Sequence, residues 1–173
     1  MLSIGGMRLN ANVLKTAAAI AIVDWIVEDK PIPGVEHHHE CAPLWKETDR
    51  ERPSDVIRDL KKGTYFERLA TMGWSETEKD RLCVTCDFLP VSTQLCDDVR
   101  VTLVSIEESK SISKERGFRG VAYLHMYLES ASDHEVVIKS GDTFDALLGH
   151  GYEFIFHERD GAMRAEMRPT WIS

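Results

Sequence analysis

The fold is decided by the stretch YEFIFHERDGAMRAEMR, residues 152–168. Its centre, Asp160-Gly161, is typical of the type I′ turn that joins two antiparallel strands. If Arg159 pairs with Ala162, every further pair follows outward along the hairpin. One face then pairs Phe156 with Ala165, Phe154 with Met167 and Glu158 with Met163; the other pairs His157 with Arg164, Ile155 with Glu166 and Glu153 with Arg168. This one register separates a largely apolar face from a polar face that includes an opposite-charge pair, so a C-terminal hairpin is predicted.

A two-residue periodicity upstream of the hairpin predicts further strands at Val99–Ile106, Gly120–Leu128 and Glu135–Lys139. In the second strand one face carries Ala122, Leu124, Met126 and Leu128, and the other carries Val121, Tyr123, His125 and Tyr127. The polar segment Glu107–Arg119 is expected to be an exposed hairpin loop. Ser140-Gly141-Asp142 is expected to cap a short helix from Thr143 to Leu148.

The N-terminal half has helical patterns instead. A helix is predicted from Asn10 or Asn12, either of which can cap it, to Asp29. It is apolar almost all round between Val13 and Val27, so we expect it to cover the apolar face of the sheet. Further helices are expected after Ser54, after Thr64, and from Ser75 towards Leu82; residues 30–52 form a long irregular connection.

The predicted fold is therefore α+β, with N-terminal helices packed on a mostly antiparallel sheet of about five strands that ends in a β-hairpin. The chain has 173 residues, of which 43% are apolar and 29% charged, values typical of a globular domain rather than a disordered chain. One domain, 1–173, is expected, with a helical region at about 1–88 and a sheet region at about 99–173.

The charge of the chain limits its partners. It carries 21 basic and 29 acidic side chains, a net charge of −8, which argues against direct binding of nucleic acid. Residues 76–173 carry 11 basic and 18 acidic side chains, so this half holds nearly all of the excess. The excess can simply solvate the surface, or it can form an acidic face that meets a basic protein partner.

The cysteine content and the N-terminal segment indicate in which cellular compartment the protein is expected. Four cysteines are too few for a disulfide scaffold in a chain of this length. The apolar run Val13–Val27 contains Lys15 and Asp24, is followed by no cleavage site, and is shorter than the ~20 residues of a membrane span. A cytoplasmic protein without membrane contact is expected, its thiols free or bound to metal.

A zinc site is one interpretation of the thiols and imidazoles. Cys83-Val-Thr-Cys86 can place two thiolates on one ion, and Cys96 with Cys41 or a histidine can complete a tetrahedral set. In the extended segment His37-His38-His39, His37 and His39 share a side. The alternatives are that the cysteines are inert core thiols and that the histidines lie in a solvated polar loop.

Partner-binding candidates are aromatic. Tyr123, His125 and Tyr127 share one strand face, where they can line a ligand pocket, or where the histidine can simply be half-buried with its hydrogen bonds satisfied. Three tryptophans, Trp45, Trp74 and Trp171, lie in loop or terminal positions, where they can anchor a partner or fold back onto their own core.

No nucleophile elbow, P-loop or dinucleotide-binding loop occurs in the sequence. We therefore expect a non-catalytic, acidic interaction protein that binds and regulates or inhibits another protein, such as a basic or nucleic-acid-handling one. The alternative is a metal-dependent enzyme or zinc-stabilised domain that uses residues 37–41 with Cys83, Cys86 and Cys96.

Overall fold

The computed structural model describes residues 10–28, 30–35, 66, 79–145 and 148–172. Two helices and six strands lie in these ranges. In chain order they are α1 (Ala11–Glu28), β1 (Arg81–Cys86), β2 (Val101–Leu103), α2 (Ile106–Arg116), β3 (Val121–Ala131), β4 (Glu135–Asp145), β5 (Leu148–Arg159) and β6 (Ala162–Ile172). The order confirms an α+β fold with an N-terminal helix and a C-terminal hairpin.

The six strands form one sheet in the order β2-β1-β3-β4-β5-β6. β1 pairs in parallel with β2 and with β3, whereas the three pairings from β3 to β6 are antiparallel. Since β2 and β3 both run parallel to β1, the connection between them must cross the sheet, and α2 is that crossover. The sheet is mostly antiparallel, as predicted, with one more strand than the expected five.

The predicted hairpin register is confirmed for all seven pairs from Arg159↔Ala162 to Glu153↔Arg168. Asp160 has φ 53° and Gly161 has φ 75°, the two positive values that a type I′ turn requires. Phe154 and Phe156 on the apolar face are completely buried. Local turn chemistry and the alternating pattern therefore fixed this hairpin.

Helix α1 begins at the predicted cap. The Asn10 side chain accepts hydrogen bonds from the backbone N–H groups of Asn12 and Val13, at 3.0 and 3.1 Å. The helix packs over β3 and β4, and Trp25 meets the ring of Tyr152 edge-on at 5.4 Å between centroids. We call the side of the sheet under α1 the inner face and the opposite side the outer face.

The two faces bury different amounts of apolar surface. The inner face forms the main core with α1, and its buried members include Leu82, Val84, Leu124, Met126, Ile138, Phe154 and Phe156. On the outer face a smaller cluster of Cys83, Val104, Val121 and Tyr123 packs with Ile112 and Phe118. The assignment of Tyr123 and His125 to the face opposite Leu124 is thus confirmed.

The expectation of an exposed loop at Glu107–Arg119 is wrong, because helix α2 occupies most of this segment. Ser105 caps this helix by accepting from the N–H of Glu108 at 3.1 Å, and Gly117, with φ 57°, ends it. Among its residues only Ser109 is buried and Ile112 is half-buried, so the helix has no apolar stripe that the sequence could show. Packing against β1 therefore stabilises this segment as a helix rather than a loop.

Four other expectations are wrong in detail. The short helix from Thr143 to Leu148 does not form, since β4 runs to Asp145 and β5 begins at Leu148. The helix from Ser75 does not reach Leu82, because Arg81–Cys86 is strand β1, and this strand lies within the region expected to be helical, residues 1–88. The strand at Val99–Ile106 shrinks to Val101–Leu103. β1 is stabilised as a strand by its pairing with β3, which is distant in the chain. No pattern within Arg81–Cys86 predicts this pairing.

Several expectations lie outside the described residues. They include the connection at 36–52 and the helix after Ser54; of the helix after Thr64 only Phe66 is described. Phe66 is helical and buried, and its ring centre lies 4.0 Å from the Arg100 guanidinium carbon. Of the two described helices, neither combines the length and the apolar character needed to cross a membrane.

Candidate functional site

A groove of about 320 Å³ opens between α2 and the outer face of the sheet. β1 contributes Thr85, and β3 contributes Tyr123, His125 and Tyr127. β4 adds Thr143, and the helix closes the opposite wall. We call this the α2 groove. It exists because the crossover helix covers β1, leaving the outer face open beyond β3.

Thr85 and His125 form the central pair of the groove. They are opposite each other in the parallel register, and the Thr85 hydroxyl is hydrogen-bonded to Nδ1 of His125. Burial lowers the pKa of His125 below its ordinary value, so the ring is neutral at pH 7. A neutral imidazole has one donor and one acceptor nitrogen. Because Thr85 engages Nδ1, Nε2 is the nitrogen that can meet a ligand.

The two tyrosines of the groove have different roles. The Tyr123 hydroxyl donates to the carbonyl of Gly117 at 2.5 Å, and its ring meets Phe118 edge-on at 5.7 Å. Burial raises the pKa of Tyr123, which keeps its hydroxyl a donor. Tyr127 is 51% exposed, with its ring centre 6.4 Å from that of His125. Tyr123 therefore holds the end of α2 on the sheet, whereas Tyr127 is available to a partner.

Trp171 lies on the same outer face, at the end of a row of residues across four strands. His125 pairs with Gly141, Gly141 with Gly151, and Gly151 with Trp171. A Cβ added to Gly151 would lie 2.0 Å from Nε1 of Trp171, and one added to Gly141 would lie 2.9 Å from Cζ2. The indole therefore lies across the glycines towards His125, and 43% of Trp171 remains exposed.

Ion pairs lie along one side of this row. Lys139 pairs with Glu129 at 2.9 Å, and Arg168 lies 3.9 Å from Glu153. These side chains are on the outer face beside Tyr127 and below Trp171 in the strand register. The surface thus has an aromatic centre and a charged, solvated border.

Of the expected metal ligands, the structure separates Cys83 from Cys86. Cys83 and Cys86 lie three residues apart on a strand, so their side chains point to opposite faces and cannot share one ion. Cys83 packs in the outer cluster, whereas Cys86 and Cys96 pack against the inner core. Cys41, His37 and His39 lie outside the described residues. Within the described ranges, no group of three His, Cys, Asp or Glu side chains could hold a metal ion.

Burial also changes the chemistry of these thiols. It raises the pKa of Cys86 to about 11 and raises the pKa values of Cys83 and Cys96 above their ordinary value. A thiol must lose its proton to bind metal or to act as a nucleophile. At neutral pH the three described cysteines are therefore protonated; Cys83 is buried, and Cys86 and Cys96 are half-buried. Trp45 and Trp74, the other expected anchors, lie outside the described residues.

Three polar side chains of the inner face went unrecognised in the sequence: Ser140, Asp142 and His150. Asp142 and His150 are directly opposite in the register, with 3.5 Å between Oδ1 and Nδ1, and both are almost completely buried. Neither Ser140 Oγ nor Asp142 Oδ1 accepts or donates a hydrogen bond in the described portion of the chain. The available signal was the alternation Val136, Ile138, Ser140, Asp142, which continues the strand into the segment interpreted as a cap.

Comparisons of the chain with protein-family models, with curated proteins and with solved structures find no match. The chemistry of the site therefore follows from its own side chains. These supply a neutral imidazole, several hydroxyls and two exposed aromatic rings on one face of the sheet. Such groups bind ligands and partners by hydrogen bonds and ring contacts.

Proposed function

We propose that this protein is a non-catalytic binding protein that regulates or inhibits another protein, which it contacts through the outer face around Tyr127 and Trp171. The observation that carries the proposal is that two exposed aromatic side chains share the outer face: Trp171 lies at the end of the row that begins at His125, and Tyr127 lies two residues from His125 on β3. Large exposed aromatic residues are the commonest anchors of protein interfaces.

The border of this surface also fits a protein partner. Protein interfaces combine a desolvated aromatic centre with a polar border that keeps some contact with water. Here the pairs Lys139–Glu129 and Arg168–Glu153 supply that border. Trp171 contributes a large ring whose position the glycine row already restricts, so little conformational entropy is lost when a partner covers it.

The charge distribution favours a basic partner. Of the net charge of −8, residues 76–173 carry −7, and this half contains the whole sheet. A negative potential over this half accelerates encounter with a positively charged surface and makes binding sensitive to salt. Phosphate binding would require the opposite sign, so the partner is a protein rather than nucleic acid.

The test compares binding by the wild type with two variants. In Tyr127→Ala/Trp171→Ala the aromatic centre is lost, whereas Val99→Ala changes a side chain that is 91% exposed in the connection before β2. A partner is isolated on immobilised wild-type protein at low and moderate salt, then purified and titrated by calorimetry. We expect the double variant to bind it at least about tenfold more weakly, and Val99→Ala to bind it as the wild type does.

Two results would overturn this proposal. One is a purified partner that binds the double variant as tightly as the wild type. The other is the absence of any protein whose capture depends on Tyr127 and Trp171. Circular dichroism of each variant serves as the folding control, since both substituted rings are substantially exposed.

A further inference from the structure

The α2 groove has the size and the walls of a small-molecule site, and it shares Tyr127 with the partner surface proposed above. Its volume of about 320 Å³ is at the lower end of the range for ligand pockets. Ile106 and Phe118 line the groove with apolar side chains, and Tyr123 and Tyr127 line it with aromatic rings. A single aromatic ring is the ligand body that such walls contact best.

The polar lining of the groove favours an anion. Among the ten lining residues there is no Asp or Glu, although the chain has 29 acidic side chains. The lining includes Lys110, which forms no ion pair with any described residue. The other polar members are His125 and six hydroxyl-bearing residues: Thr85, Ser109, Ser113, Tyr123, Tyr127 and Thr143. The Tyr123 hydroxyl already donates to Gly117, and the Thr85 hydroxyl is hydrogen-bonded to His125. The ammonium and the remaining hydroxyls can donate to an anionic or hydroxylated ligand.

The number of cations limits the charge of that anion. One lysine ammonium is a point charge that suits a single carboxylate. A dianionic phosphate is usually held by an arginine fork or by several backbone N–H groups, and the groove wall contains no arginine. We propose that the α2 groove binds a small aromatic carboxylate, with Lys110 at the carboxylate and the rings of Tyr123 and Tyr127 against the aromatic body.

The first test is a titration of the full chain with 4-hydroxybenzoate, followed by amide NMR. We expect shifts to concentrate at Ser109, Lys110, His125 and Thr143, with a Kd on the order of 1 mM for a ligand of this size. The matched probe 4-hydroxybenzyl alcohol has the same ring without the charge, and we expect it to bind at least about fivefold more weakly.

The second test separates Lys110 from general charge effects. Lys110→Gln should weaken 4-hydroxybenzoate binding about fivefold, because the ligand loses its cation. Lys114→Gln removes the same charge from an exposed position of α2 that does not line the groove, so the Kd should not change. Both substitutions are on the helix surface, and a thermal melt confirms that each variant is folded.

A pH series tests the contribution of His125. The other titratable groups facing the ring are Lys110, Tyr123 and Tyr127. Because acid converts the neutral imidazole into a second cation, the Kd of 4-hydroxybenzoate should fall as the pH is lowered. His125→Gln should remove that trend.

The proposal is overturned if the alcohol binds as tightly as the carboxylate, if both lysine variants weaken binding equally, or if 4-hydroxybenzoate at about ten times the expected Kd shifts no groove resonance. None of these results bears on the partner surface at Trp171, whose test uses other variants.

Discussion

The inner and outer faces of one sheet each present a histidine, and the two histidines have opposite surroundings. His150, on the inner face, is 2% exposed and lies 3.5 Å from Asp142. His125, on the outer face, is hydrogen-bonded to Thr85 and lines a groove that solvent reaches. The same strand alternation produced both positions, so what differs is the layer above each face.

The covering helices explain this difference. α1 has 18 residues, of which eight are buried, and it closes the inner face with aliphatic side chains and Trp25. α2 has 11 residues and buries only Ser109; it covers β1, and no other described helix packs on the outer face. Polar groups on a closed face must find partners within the protein, whereas those on an open face can bind a ligand.

The largest contrast is expected from ring deletions on the two faces. Phe154→Ala removes a completely buried ring that contacts Trp25 edge-on at 5.6 Å between centroids. We expect it to lower the free energy of unfolding by about 3–5 kcal/mol. Tyr127→Ala on the outer face should change it by less than about 1 kcal/mol. Urea unfolding measures both, and equal losses would show that the outer face is closed in solution.

A smaller effect is expected where Trp171 lies on the glycine row. In Gly151→Ala the new methyl would lie 2.0 Å from Nε1 of Trp171, so the indole must move. We expect a loss of about 1–3 kcal/mol in the free energy of unfolding and a shifted indole N–H resonance.

The control for this prediction is a double-mutant cycle. In the Trp171→Ala background the three closest contacts of the methyl group are removed, so Gly151→Ala should then cost little. A full cost in that background would mean that the strand backbone itself requires glycine, and the indole would not be the cause.

Hydroxyl deletions on the two faces should have opposite signs. Ser140 Oγ is buried and has no hydrogen-bond partner in the described chain, so Ser140→Ala should raise the free energy of unfolding by about 1 kcal/mol. Thr85→Val removes the partner of His125 Nδ1 and should lower it by about 1 kcal/mol. Denaturant titrations of the two variants decide the matter, and a loss with Ser140→Ala would reveal a partner of its hydroxyl.

The smallest effect concerns pH. Burial holds the pKa of His125 below its ordinary value, so as the pH falls below about 6.5 the unfolded chain takes up the proton first. The stabilisation due to the neutral ring is therefore present above this pH and is lost as the pH falls through the folded pKa. His125→Gln should flatten that portion of the profile of unfolding free energy against pH. An unchanged profile would place the ring in a fully solvated position.

The hairpin and α1 were predictable from the sequence because their determinants are local. Asp160-Gly161 specifies the turn, and one register sorts the side chains of both strands. Asn10 caps a helix whose apolar surface is continuous. The alternation of Tyr123, His125 and Tyr127 was readable for the same reason, since neighbouring positions of a strand face opposite sides.

The rest of the site required nonlocal information. β1 is a strand because it lies between two parallel partners, so its thiols, read as ligands at a helix end, point to opposite faces. Ser140 and Asp142 resemble a helix cap in sequence, yet pairing with β3 and β5 extends the strand through them. The pairing of β1 leaves no signature in its own residues, and that of β4 leaves only the alternation from Val136 to Asp142.

Local sequence specifies the turn, the register of the last two strands, the first helix and which side chains share a strand face. Packing between distant segments makes a polar segment into α2, brings Thr85 to His125 and lays Trp171 over Gly151 and Gly141. The two groups of features differ in the distance along the chain over which their determinants act. Turn dihedrals and side-chain alternation act between neighbours in the chain, whereas the groove and the aromatic row depend on which distant strands become neighbours in the sheet.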